Sequence, residues 1–187
     1  MNFKDKELII KNDIIYLKDE PENCVMMEWE RPLMEKHAEI VCKNGGNILE
    51  IVFGLGISAD YRQSHDIKSH TIVEIHPQIQ KKLKEWSINK ENVNIINGDW
   101  YEKMYELSKN DYDGILFDVY EDFNYIYAYH FIDTLKPGGI FSFFSPDGHN
   151  HFSKYNDNFH KMEINNIKID NNNYHNEKDT YCCWIVK

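Results

Sequence analysis

Two acids close apolar runs in this chain, and their places suggest ligand chemistry. Glu74 lies near the end of TIVEI (residues 71–75) and Asp118 near the end of DGILFDV (113–119). Acids seldom sit unpaired in apolar runs, so Asp118 needs either a partner or a ligand. Upstream of both, the segment EIVFGLGIS (50–58) sets Gly54 and Gly56 after an apolar run and before a helical stretch. Glycine serves there because the chain turns sharply and a ligand can approach a backbone that has no Cβ in the way. Glu74 follows Gly54 by 20 residues, the separation at which a strand-end carboxylate can accept bonds from both hydroxyls of a ribose. The competing readings are plain ones: an exposed strand-end acid for Glu74, a helix cap for Asp118. Ser58 stands near the place of a third glycine and no P-loop lysine follows, which weighs against nucleotides carrying several phosphates.

Positioning these groups requires alternating elements. Apolar runs at 47–53, 71–75, 93–96, 113–119 and 139–144 read as strands. Stretches at 77–86, with Pro77 at a plausible first helical position, at about 100–108 and at 122–135 read as helices between them. Crossovers of that length predict a parallel sheet covered on both faces. Residues 162–169 and 180–186 predict a terminal antiparallel hairpin around a polar, Asn-rich stretch. Residues 25–42 suit a helix with Pro32 near its first turn. Residues 1–24 read as an N-terminal extension or lid with one strand at 13–17, ahead of a core at 25–187.

The chain's 187 residues suit a single domain. A net charge of −10 offers no basic face for a phosphate backbone, so nucleic acid is not expected as a partner, whereas a cationic small molecule or basic peptide is compatible. No apolar run reaches the roughly 20 residues of a membrane span and no signal peptide opens the chain, which predicts a cytoplasmic protein. Cys24, Cys42, Cys182 and Cys183 form no CxxC pair, and the adjacent Cys182 and Cys183 would point to opposite faces of a strand, so reduced thiols are expected.

The glycine turn and Glu74 leave nicotinamide cofactors and S-adenosylmethionine open. LKPGG (135–139), a helix end and turn before a strand, resembles the corresponding segment of class I methyltransferases and favours the second. Further stretches then fall into one order: VMMEWERPLM (25–34), ILEIVFGLGI (48–57), IVEIHP (72–77), NGDW (97–100), DGILFDVY (113–120) and FSFF (141–144). This order resembles guanidinoacetate methyltransferase and the fungal-type arginine methyltransferases that modify the internal δ guanidino nitrogen, over about residues 25–160. The resemblance implies a Rossmann-like, doubly wound, mostly parallel sheet with a C-terminal antiparallel hairpin. It also implies N-methyl transfer from S-adenosylmethionine, leaving S-adenosylhomocysteine, to a guanidino group. Arginine, free or in a peptide, is the favoured acceptor; a guanidinoacetate-type small molecule and a catalytically silent binding module are the alternatives. A homodimer is compatible.

Carried over residue by residue, the resemblance assigns Met26, Met34, Phe53, Gly54, Gly56, Glu74, Ile75, His76, Asp99, Trp100 and Asp118 to the methyl donor. It assigns Glu30 and Asp118 as the catalytic carboxylates gripping the guanidino group, with Tyr120, His130 and Ser145 beside the acceptor. Glu30 by itself would read as a solvated helix acid, His130 as structural, and Trp29, Trp100 and Tyr120 as packing. His149 and His151, with Asp147 nearby, suggest a metal loop, but the family uses no metal and none is expected. One departure stands out: the family has glycine where this chain has Val52, two residues after Glu50, so either the turn shifts or donor affinity falls.

Overall fold

A computed structural model describes residues 3–109, 111–119, 127–145, 148–150, 152–164 and 181–187. Seven strands form the central sheet in the order β6-β5-β4-β7-β8-β10-β9. They are β4 (Asn47–Ile51), β5 (Ser69–Glu74), β6 (Val93–Asn97), β7 (Tyr112–Phe117), β8 (Leu135–Ser145), β9 (Phe159–Glu163) and β10 (Tyr181–Val186). The first four and β8 run parallel; β10 is antiparallel to β8, pairing Cys183 with Phe143, and β9 is antiparallel to β10. This is the expected α/β sheet with an antiparallel C-terminal end.

Alternation along each strand divides the core in two. Ile51, Val73, Ile115, Phe117, Phe141 and Cys183 face one side, against Phe131 and Ile132 of α5 (Ala128–Thr134). Ile72, Leu116 and Cys182 face the other, against Leu33 and Met34 of α1 (Arg31–Val41), Ile57 of α2 (Ile57–Gln63) and Leu83 of α3 (Pro77–Ser87). Cys182 and Cys183 therefore do lie on opposite faces, and all four cysteines are buried and free. No helix among the described residues is long and apolar enough to cross a membrane.

The N-terminal region departs most from the sequence reading. A separate antiparallel sheet, β1 (Leu8–Ile10), β2 (Ile14–Leu17) and β3 (Glu20–Met27), occupies it, with β3 continuing past residue 24. The helix expected over 25–42 begins only at Arg31, after a 3₁₀ turn at Glu28–Glu30. Val25 and Met26 are strand residues because Ile15 pairs with Met26 and the inward positions Cys24 and Met26 bury alternately. Pro32 falls in the first helical turn, where its missing N–H costs nothing. Leu8, Ile15, Leu17 and Met26 join the core beneath α1 and α3, so this sheet caps the carboxyl ends of the parallel strands rather than forming a loose extension.

Smaller differences occur elsewhere. The helix expected near 100–108 is one turn, α4 (Trp100–Lys103), followed by a 3₁₀ turn. The hairpin's first strand lies at Phe159–Glu163, earlier than 162–169, and residues 165–180 fall outside the described set. So do Tyr120, Asp147, His151 and the front of the helix expected at 122–135.

Candidate functional site

The β4–α2 connection bends through three left-handed residues: Val52 at φ 68°, Gly54 at φ 55° and Gly56 at φ 85°. Glycine accepts that region freely; a β-branched residue is strained there. Val52 nonetheless holds the turn, donating from its N–H to Val73 O at 2.9 Å. The departure seen in sequence is thus absorbed as backbone strain. Met26 of β3 lies against Gly54 so closely that a Cβ there would collide with its sulfur, and the Leu55 N–H points at that sulfur at 3.0 Å.

Glu74 fastens the turn from the neighbouring strand. One carboxylate oxygen accepts from Phe53 N at 3.0 Å and the other from His76 N at 2.7 Å. Burial pushes the Glu74 carboxyl above its ordinary pKa, opposed by these backbone N–H groups. The N–H groups of Ile75 and Gly54 act on the same carboxylate in the same sense.

A cleft opens beside the turn, walled by Phe3, Val25, Met26, Glu30, Met34, Glu50, Val52, Phe53, Gly54, Ser58, Glu74, Ile79, Leu116, Asp118 and Val119. It lies at the carboxyl ends of β4, β5 and β7, where open α/β sheets bind ligands. Its charged groups, among the described residues, are all carboxylates: Glu30, Glu50, Glu74 and Asp118. Glu30, in the 3₁₀ turn before α1, is buried and accepts from Met27 N at 2.7 Å. Burial and then the Asp118 charge lift its pKa to about 8. Asp118, just past β7, is lifted to about 6 by burial and by Glu50, against the lowering effect of Arg62. Two acids from distant parts of the chain thus meet in one cleft and resist being ionised together.

Of the residues named from sequence, the structure gathers Met26, Glu30, Met34, Phe53, Gly54, Glu74 and Asp118 into this wall. Gly56 belongs to the same turn without lining the cleft. Ile75 follows Glu74 on the way to α3. His76 caps α3, its Nδ1 accepting from Gln78 N at 3.2 Å and its Nε2–H donating to Lys6 O at 2.8 Å. Asp99 caps α4 through Tyr101 N at 2.9 Å. Trp100 packs edge-on against Phe117 and tilted against Phe131. His130 donates to Met104 O at 2.8 Å, the structural role that its sequence context suggested. Ser145 is buried at the end of β8, its hydroxyl 3.5 Å from His149 O. Tyr120 lies outside the described residues.

Sequence reasoning passed over Phe3, which reaches the wall from the amino terminus and carries no spacing signal. It also passed over the partners of Glu50. That acid interrupts an apolar strand, a visible sign of a buried polar partner.

The wall fits an adenosyl sulfonium: a buried acid fastened to a glycine turn, and further carboxylates in the same cleft that suit a cation. The model of the guanidinoacetate N-methyltransferase family matches residues 19–178. The chain is similar to Protein arginine N-methyltransferase 2 of Kluyveromyces lactis, 33% identical over 159 residues, 75% of this chain and 39% of that protein. It is likewise similar to the Saccharomyces cerevisiae protein of the same name, 34% identical over 152 residues, 74% of this chain and 36% of the relative. The chain therefore spans less than two fifths of the length of these relatives. In fold it resembles a spermidine synthase from Thermotoga maritima (TM-score 0.65, 15% identity, 93% of this chain and 65% of the other). It also resembles a putative caffeoyl-CoA O-methyltransferase from Staphylococcus aureus (TM-score 0.60, 16% identity, 87% and 85%). The carboxylate-lined cleft beside a glycine turn, on a sheet of this order, thus sits in a chain that belongs to the guanidinoacetate N-methyltransferase family, with S-adenosylmethionine as methyl donor and S-adenosylhomocysteine as product.

Proposed function

We propose that this chain methylates a nitrogen of a guanidino group, with arginine, free or in a peptide, as acceptor and its δ nitrogen as the target. The observation that carries this reading is the meeting of Glu30 and Asp118 in one cleft beside the donor turn, with Glu30 destabilised by the Asp118 charge. A planar cation between them relieves that repulsion and offers each carboxylate an edge of its fork. Similarity to proteins named for arginine methylation supports the same acceptor class.

S-adenosylmethionine supplies an electrophilic methyl carbon on a sulfonium. The chain's part is alignment and electrostatics. Glu74 and the turn at Val52–Gly56 would hold the donor, while Glu30 and Asp118 would hold the acceptor plane with one nitrogen toward the methyl group that the donor supplies. By drawing positive charge toward the far edges of the fork, the two carboxylates leave more electron density on the attacking nitrogen. As the nitrogen–carbon bond forms, the nitrogen's proton passes to a carboxylate or to water. Asp118, with its pKa near 6, is suited to take it.

The test is mass spectrometry of products from a mixture of arginine, arginine peptides and guanidinoacetate, with fragmentation to locate the methyl group. Methylarginine carrying the mark on the δ nitrogen is expected. Asp118→Asn and Glu30→Gln should each lower turnover by a factor of roughly 10² or more, the scale of one well-placed electrostatic group. The double variant should lose far less than the product of the two, because the pair acts as a unit. Full turnover in either single variant would overturn the reading. Donor binding without any product would instead favour a silent module, a reading motivated by Val52.

A further inference from the structure

Behind the cleft wall lies a buried cation that neither donor nor acceptor binding accounts for. Arg62, from α2, is fully buried, and its Nη1 stands 2.6 Å from Glu50 Oε1. The other Glu50 oxygen is 2.8 Å from His70 Nε2, and the Ser58 hydroxyl also donates to this carboxylate. Gln63 Nε2 lies 3.2 Å from His70 Nδ1, which leaves Nε2–H as the donor to Glu50 and keeps His70 neutral. Glu50 and Ser58 belong to the cleft wall, Arg62 does not, and Asp118 is in the same wall.

The arrangement is costly as a purely structural device. The Arg62–Glu50 contact is a close ion pair without hydrogen-bond alignment, and Nε, Nη1 and Nη2 all lack an aligned acceptor. His37, in α1, offers no relief: its Nδ1 lies 2.7 Å from Ser142 Oγ and 3.1 Å from Cys182 Sγ, and its Nε2 is a further buried polar atom without a hydrogen-bond partner. Leaving buried polar groups unmatched is destabilising, and a buried pair of this type is weak as a source of stability.

We propose that Arg62 is a positioning residue: it balances the Glu50 charge behind the wall and so leaves Asp118 able to carry the negative charge that a cationic acceptor pairs with. The groups facing Asp118 are Glu30 from the turn before α1, Glu50 from β4 and Arg62 from α2. Those facing Arg62 are His37 and Cys42 on and after α1, Glu50, His70 from β5 and Asp118. The directions agree: Glu50 raises the Asp118 pKa and Arg62 lowers it, while burial, more than offset by Arg62, His70 and Ser58, leaves Glu50 ionised with a pKa of about 2. Without Arg62, two carboxylates would compete in one wall. Without Glu50, an unbalanced guanidinium would pull Asp118 the other way.

Opposite signs make the proposal testable without turnover. Its value to catalysis rests on the guanidino reading, so the experiment follows the carboxyl itself. The ¹³Cγ resonance of Asp118, assigned with Asp118→Asn, is titrated in the folded protein without donor or acceptor. Arg62→Met should move the midpoint up by roughly one unit and Glu50→Gln should move it down by a similar amount. The double variant Glu50→Gln/Arg62→Met should return close to the wild-type value. Shifts of the same sign in both single variants, or an unmoved midpoint in Glu50→Gln, would overturn the proposal. If Arg62→Met does not fold, Glu50→Gln and the double variant decide it. Expected midpoints in a protein that binds no guanidino compound would leave this network standing and remove the acceptor reading alone.

Discussion

Val52 and Glu74 show how much one side chain controls at this turn. A left-handed β-branched residue stores strain on the order of 1–3 kcal/mol. Glycine at that position would release it and forfeit the packing of Val52 on the core. Val52→Gly should therefore leave stability equal or raise it by up to about 1 kcal/mol, with donor affinity equal or better. Urea denaturation and calorimetry with S-adenosylhomocysteine measure both. A large loss in either would mean that the side chain is a contact and not an obstruction. Glu74→Ala has the opposite character. On the proposed reading it removes an acceptor for ribose hydroxyls, each such bond to a charged group being worth about 1.5–3 kcal/mol, and it also strands Phe53 N and His76 N. Affinity for S-adenosylhomocysteine and the thermal midpoint should fall together; unchanged affinity would show that the ribose lies elsewhere.

At the scale of elements, the decisive contact joins the N-terminal sheet to the glycine turn. Met26 of β3 fills the space above Gly54, so Gly54→Ala suffers both a left-handed alanine and a collision with the thioether. Met26→Ala removes the collision and keeps the backbone penalty. Stability measured across Met26→Ala, Gly54→Ala and the double variant should show that Gly54→Ala costs less in the Met26→Ala background, by about 1 kcal/mol or more. Strict additivity would mean that the turn moves away from β3 when it needs to. Pro32 and the Met-rich segment were visible in the sequence, yet they read as one helix. Tertiary pairing of Ile15 with Met26 drew Val25 and Met26 into a strand and left Glu30 at the corner where strand becomes helix. That corner is what turns Glu30 from an ordinary helix acid into a wall of the cleft.

Across the whole molecule, buried acids make behaviour depend on pH. Glu30 and Asp118 bind protons more tightly folded, at about 8 and about 6, than at their ordinary 4.5 and 3.8. The folded state therefore carries the extra proton and stability falls as pH rises through this window, by roughly 1.4 kcal/mol for each unit of difference. Glu30→Gln keeps an acceptor for Met27 N and removes the charge. Its thermal midpoint should rise relative to wild type as pH goes from 5 to 9; a constant difference would deny the shifted pKa. A cationic acceptor requires the ionised pair, so its affinity should increase from pH 6 to 8 and its binding should release protons, detectable by calorimetry in buffers of different ionisation enthalpy.

The alternation of apolar runs with helical stretches fixed the sheet, the glycines fixed its turn, and the acids at 74 and 118 marked the edge at which the cleft opens, because each is a local pattern with a local physical cause. Burial across long separations is not local. Only the tertiary structure brought Phe3 and Glu30 to Asp118 and matched Arg62 to Glu50, since those outcomes depend on which surfaces the folded chain presses together.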